Sequence, residues 1–203
     1  LELCEQVEAE GATLLVNKNN ALPLAKGSKV STLSSSSVDL VYGGTGSGNV
    51  DASKCDNLKV ALEKANFKVN PTLWDFYATG AAAEYTRGNA GAVVQDSAGA
   101  GGYGSAEIVE APWNLYTDDV ISSVGDYGDA AIVTFSRVGG EGADLEFVAT
   151  NYLALDENEK TLMENLAAMK EAGTIKKIVV LINSSNPLQV DFLQNNEYDV
   201  DAC

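Results

Sequence analysis

Glu141 stands in the run Ser136-Arg-Val-Gly-Gly-Glu-Gly-Ala-Asp-Leu145, with Gly139 and Gly140 before it and Gly142 after it. Glycine lets a backbone bend freely and approach a ligand closely. A carboxylate mounted there can reach into a cleft and act as a general acid/base. The same run holds Arg137, one of two arginines in the chain, the other being Arg87. Composition points the same way. The 203 residues include no histidine, which removes the commonest general base, the Ser–His–Asp triad and nearly every His-containing zinc site. With 29 Asp+Glu against 13 Lys+Arg, a carboxylate mechanism is the first expectation. The competing reading is a surface loop with a solvated Glu141 and an Arg137–Asp144 pair.

Other motifs carry less. Gly43-Gly-Thr-Gly-Ser-Gly48 lacks the GK[ST] ending of a phosphate-binding P-loop. Gly99-Ala-Gly101-Gly-Tyr-Gly104 matches GxGxxG, but Ser105–Glu110 does not read as the helix a dinucleotide site requires. Trp74, Trp113 and the eight tyrosines could stack on sugar rings. Trp74 reads better as core, because it sits among apolar helix positions. Asp118, Asp119, Asp126 and Asp129 are too scattered for an EF-hand and read as a solvated face. Cys4, Cys55 and Cys203 are too widely spaced for a metal cluster or a disulfide scaffold, and read as buried free thiols. No cofactor and no metal is expected.

The net charge of −16 argues against nucleic acid and anionic membranes, since phosphate contacts need Lys and Arg. It suits a neutral ligand such as a sugar. The longest apolar run, Ile178–Ile182, is far short of the ~20 residues of a membrane span. The N-terminus, Leu1-Glu-Leu-Cys-Glu, lacks the regions of a signal peptide, which favours the cytoplasm, and lacks a starting methionine. A processed piece or excised fragment of a longer protein is expected.

The elements that must position these groups are legible from periodicity. Residues 3–15 read as a helix with Leu3, Val7 and Leu14 on one face, weakened by Gly11. Lys29–Ser34 reads as a strand whose polar sequence suits a sheet edge. Helices are expected over 53–65, 72–87 and 116–124, and a short strand at Phe67–Asn70. The Gly/Ala/Ser-rich stretch 88–105 reads as a long loop, with Glu107–Ala111 extended after it. Ala130–Phe135 and Lys177–Ile182 read as strands buried on both faces. Between them Asp156 is an expected N-cap with Glu159 at the capping-box position, and Gly173 closes that helix. Val200–Cys203 reads as the opening of a further strand. The alternation implies an α/β fold, a three-layer sandwich with a mostly parallel sheet flanked by helices. Sites in such sheets collect beyond the carboxyl ends of the strands, which directs attention to the loop after Phe135.

Four stretches together resemble the second domain of family 3 glycoside hydrolases, the β-glucosidase type. They are Glu10–Asn17 with Leu22-Pro-Leu24, Tyr42–Asn49, Asp129–Leu145 and Lys177–Pro187. The third is the most specific, and the matches run in family order from about residue 9 to the end. The resemblance implies an α/β sandwich domain packed beside a TIM-like barrel of the same protein. It implies a retaining mechanism, with two carboxylates about 5–5.5 Å apart. The nucleophilic Asp would belong to the barrel, and Glu141 would be the general acid/base. Thr45, Gly46 and Ser47 match a segment lining the cleft mouth, where some relatives place an aromatic. Arg137 falls in the same set, and is better suited to orienting its loop than to touching sugar.

The expected reading is therefore residues 1–203 as a single α/β sandwich domain lacking the barrel and its own last strands. Its substrate would be a β-glucoside or oligosaccharide, and the isolated chain would be inactive. Self-association as a homo-oligomer is left open. The alternatives are a non-catalytic carbohydrate-binding or structural domain, and a nucleotide-binding α/β domain.

Overall fold

The computed structural model of the protein describes residues 2–43, 50–86, 110–138, 153–184 and 186–203. Helix α1 (Glu2–Gly11) opens the chain, followed by β1 (Lys29–Leu33), α2 (Leu58–Lys64), β2 (Lys68–Val69) and α3 (Pro71–Ala78). Then come α4 (Asp118–Asp126), β3 (Ala130–Arg137), α5 (Glu157–Glu171) and β4 (Ile178–Ser184). The strands form one parallel sheet in the order β2-β1-β3-β4. This is an α/β sandwich.

Local chemistry sets the helix starts. Asn57, Asn70, Thr117 and Asp156 each accept a bond from a backbone N–H of the first turn. That satisfies one of the donors a helix N-terminus leaves orphaned. Pro71 follows Asn70 at a position where its missing N–H costs nothing. Asp156 and Glu159 form the expected reciprocal capping box. Gly173, at φ 75°, follows the C-cap Ala172 in the left-handed conformation that glycine accepts readily.

Period-two alternation in the strands divides the core. Ala131, Val133 and Phe135 of β3 face one cluster, with Leu73, Phe76 and Tyr77 of α3, Val120 and Val124 of α4, and Leu162, Met163 and Leu166 of α5. Ala130 and Ile132 face the other, with Val30, Val69, Trp74, Val179 and Ala202, and with Leu58 and Leu62 of α2 beside it.

Several expectations change. β1 is an interior strand, flanked by β2 and β3, and Ser31 and Thr32 are fully buried. The Ser31 hydroxyl finds a partner far along the chain, whereas the Thr32 hydroxyl is buried without one among the described residues. Asn70, itself buried, donates to the Ser31 hydroxyl (3.1 Å) and to the carbonyl and hydroxyl of Ser123 (2.9 and 3.0 Å). α1 ends at Gly11 and buries none of its residues, with Leu3 and Val7 facing solvent. The helices expected over 53–65 and 72–87 are shorter, because each is split by a 3₁₀ turn (Ala52–Lys54 and Ala83–Tyr85). Cys4 and Cys55 are exposed rather than buried, because the segments that carry them pack no core, and Cys203 is half-buried.

β4 is buried over its first three residues only; Leu181 is exposed and Ile182–Ser184 are half-buried. The segment expected as a further strand pairs through Ala202 alone, parallel to Val179 and antiparallel to Asn17. Asp118, Asp119 and Asp126 are exposed as expected, whereas Asp129 accepts from the Lys29 N–H (2.9 Å) and from Lys176 (2.6 Å). Among the described residues no helix is long and apolar enough to cross a membrane.

Candidate functional site

The strand order reverses direction between β1 and β3: the chain winds outward from β1 to β2, then returns to build β3 and β4 on the other side. In open parallel sheets this switch leaves a crevice beyond the carboxyl ends of the two central strands. The residues that leave those ends are Ser34–Ser37 after β1 and Val138 after β3.

At the β1 end, Ser34 adopts φ 82° and ψ 144°, a region costly for a residue with a Cβ. Its hydroxyl accepts from the Ser36 N–H (3.3 Å), starting a 3₁₀ turn over Ser35–Ser37. All four serines are buried. Ser37 donates to the Leu33 carbonyl, and its hydroxyl also bonds the Thr134 hydroxyl of β3, so the turn is bound to both central strands.

Behind this turn lies a carboxylate that sequence reading passed over. Glu110 is 2 % exposed. Its oxygens accept from the N–H groups of Ser35 and Ala111 (both 2.9 Å) and from the Tyr77 hydroxyl (3.3 Å). The Tyr77 hydroxyl also bonds the Tyr116 hydroxyl and accepts from the Ser34 N–H (3.0 Å). Burial pushes the Glu110 carboxyl up to about 7, and the nearby charge of Glu159 adds to the rise. The bonds from the serines and from Ala111 hold it back. Burial, with the Glu110 charge beside it, raises both tyrosines well above the usual phenol range. Tyr77 and Tyr116 are therefore core groups rather than sugar platforms. Trp113 stacks on Tyr116 at 4.3 Å. No local pattern announces Glu110, since its partners lie 75 residues back at Ser35 and 33 back at Tyr77.

At the β3 end, Arg137 is buried. Its guanidinium donates to both carboxylate oxygens of Glu159 (2.9 and 2.8 Å) and to the carbonyls of Ser136 (2.8 Å) and Ala154 (2.9 Å). Ala154 and Glu159 follow the 139–152 segment and Arg137 precedes it, so one guanidinium joins the chain on either side of that segment. Burial pushes the Glu159 carboxyl up, and the Arg137 charge opposes the rise.

Glu141, the candidate acid/base, lies outside the described residues, as do Thr45, Gly46 and Ser47 of the glycine-rich segment and Asp144, the alternative partner for Arg137. The GxGxxG match at Gly99–Gly104 lies outside them too. Val41, Tyr42 and Gly43, at the entry to the glycine-rich segment, line a cleft of about 760 Å³ with Leu181–Ser184 of β4, Cys203, and Glu8 and Gly11 of α1. No group of three metal-ligating side chains is found among the described residues.

The family model of the glycosyl hydrolase family 3 C-terminal domain matches residues 12–203. The chain belongs to this family. Over its whole length this family 3 domain is 29 % identical to a β-glucosidase of Ruminococcus albus, of which it covers 19 %. It is 29 % identical, over 71 % of its length, to β-glucosidase A of Butyrivibrio fibrisolvens, covering 16 % of that protein. A crystal structure of a β-glucosidase from Paenibacillus barengoltzii superposes with a TM-score of 0.78 at 25 % identity, over 99 % of this chain and 20 % of that one. The domain thus spans about a fifth of the length of the relatives it matches.

Proposed function

We propose that this domain supplies the general acid/base to a retaining β-glucosidase, with Glu141 as that residue. A TIM-like barrel domain of the same protein would hold the nucleophilic carboxylate. The observation that carries the reading is the exit of β3. The segment bearing Glu141 leaves a central strand at the switch point of a family 3 domain, and Arg137 bonds the chain on both sides of it.

In the first step the barrel carboxylate attacks the anomeric carbon while protonated Glu141 donates to the glycosidic oxygen, and the aglycone leaves. In the second, the Glu141 carboxylate takes a proton from water as the water displaces the enzyme carboxylate. Arg137 serves by orienting the segment, and Thr45, Gly46 and Ser47 are the residues assigned to contact the sugar. A chain with so large a negative charge suits a neutral glycoside.

The test is Glu141→Ala in the complete enzyme. Hydrolysis of glucosides with poor leaving groups should fall by about 10²–10⁴-fold. Dinitrophenyl glucosides should keep their glycosylation rate, because their leaving group needs little protonation, and azide should restore turnover as β-glucosyl azide. Unchanged rates on both substrate classes would exclude Glu141. The 203-residue chain alone should hydrolyse no aryl β-glucoside, since it lacks the nucleophile's domain.

A further inference from the structure

Asn183 lies near the carboxyl end of β4, opposite Ser136 in the ladder with β3. Its amide reproduces what a neighbouring strand would offer. Oδ1 accepts from the Val41 N–H (2.6 Å) and Nδ2 donates to the Val41 carbonyl (3.0 Å). The same Oδ1 accepts from the Ser136 hydroxyl (3.1 Å). Asn183 is half-buried, and it lines the cleft with Val41, Tyr42 and Gly43.

The partners give these bonds their meaning. Val41 belongs to no strand, and it enters the glycine-rich segment three residues before Gly44. Ser136 is the penultimate residue of β3, just before the arginine that braces the other segment. A planar amide offers a donor and an acceptor at fixed spacing. Asn is therefore the shortest side chain able to hold both polar groups of one peptide residue. Asp keeps the acceptor and loses the donor, and Ala loses both.

We propose that Asn183 is a positioning residue for glycoside hydrolysis, holding the base of the glycine-rich segment through Val41 in register with the base of the acid/base segment through Ser136. The inference rests on the reading of Glu141 given above. It deepens that reading by naming a side chain on a third element that sets the spacing between the two segments. Oδ1 is shared between Val41 and Ser136 whereas Nδ2 meets Val41 alone, so removing the Nδ2 bond or the Ser136 hydroxyl singly separates the two effects. Donation to the Val41 carbonyl governs sugar binding, and acceptance from Ser136 governs proton delivery.

The experiment measures kcat and KM of the complete enzyme on aryl β-glucosides of graded leaving-group ability, with thermal unfolding measured in parallel. Asn183→Ala should lower kcat/KM by about 10- to 100-fold, the scale of a misplaced catalytic group, with the greater loss on poor leaving groups. Asn183→Asp keeps both bonds to Oδ1 and should raise KM while leaving the leaving-group dependence unchanged. Ser136→Ala should do the reverse, steepening that dependence at constant KM. Both are close in volume to the native residues and decide the matter should Asn183→Ala not fold. The proposal is overturned if the variants lower the melting temperature alone, if Asn183→Asp leaves KM unchanged, or if the losses of Asn183→Ala and Ser136→Ala are uniform across the substrates. Glu141→Ala is run beside them. If it leaves the leaving-group dependence untouched, the acid/base reading falls, whereas the KM of Asn183→Asp still decides whether Asn183 sets the glycine-rich segment.

Discussion

Arg137 and Glu159 meet as a two-pronged ion pair, 2.9 and 2.8 Å between the paired atoms, with side chains 5 % and 3 % exposed. Each carries a second duty. Glu159 closes the capping box of α5 by accepting from the Asp156 N–H, and Arg137 bonds the Ala154 carbonyl. Removing one partner leaves an uncompensated charge in the interior. Arg137→Met or Glu159→Leu should each cost about 3–5 kcal/mol in urea unfolding. The double variant should cost less than either single change, because no buried charge is then orphaned. A double variant as damaged as the sum of the singles would mean that the pair is not the source of the loss.

Glu110 makes the stability fall with pH in a defined window. Its folded-state carboxyl titrates at about 7 against 4.5 as an ordinary carboxyl. Between those values the folded protein keeps a proton that the unfolded chain has released, so stability declines as pH rises. The decline amounts to about 3 kcal/mol, complete above the folded value and absent below the unfolded one. Glu110→Gln does not titrate, so its urea midpoint between pH 4.5 and 7 should follow a flatter course than the parent's. Parallel courses would assign the slope to other groups.

Gly128 and Gly11 should respond oppositely to alanine. A Cβ at Gly128 would stand 2.3 Å from the Thr174 carbonyl oxygen, a backbone atom that cannot swing aside. Gly128→Ala should destabilise by about 1–3 kcal/mol, as overpacking does. A Cβ at Gly11 meets nothing within 4 Å. Gly11→Ala should leave the melting temperature unchanged or raise it, through the better helix propensity of alanine.

Thiol labelling separates the cysteines. Cys4 and Cys55 are exposed and should react within the first phase with an aromatic disulfide at pH 8. Cys203 is half-buried, and burial pushes its thiol up to about 11. Only about one part in a thousand is then thiolate at pH 8, and the thiolate is the nucleophile. Two fast equivalents and one slow one are expected in the folded chain, and three fast ones in urea.

Much of the fold is legible along the chain because its signals are local. Asp156 with Glu159, Asn70 before Pro71, and the mostly apolar run at the start of β3 each depend on neighbours within a few residues. Alternation of strands and helices then implies a parallel sheet, and a glycine-flanked Glu141 near Arg137 marks the sequence that follows β3 as the candidate site. The family, too, is written in short stretches of sequence.

What the chain order does not contain is which distant groups meet. The polarity of β1 suggested an edge, yet Asn70 bonds the Ser31 hydroxyl and Thr134 bonds Ser37 of the turn after it. Most of the polarity at the sheet's centre is thus matched, the Thr32 hydroxyl alone among the described residues being buried without a partner. Glu110 looked like one acid among many. Folding sets it against Ser35 and Tyr77, and the loss of water there raises its proton affinity. Arg137 read as a residue that orients its loop, and packing sets its guanidinium on Glu159, a partner 22 residues away that no local pattern names. Sequence by itself determined the periodicities, the caps and the identity of the proton-transfer group to be tested. Only the tertiary structure decided which polar groups are buried together, because desolvation and hydrogen bonding depend on neighbours in space.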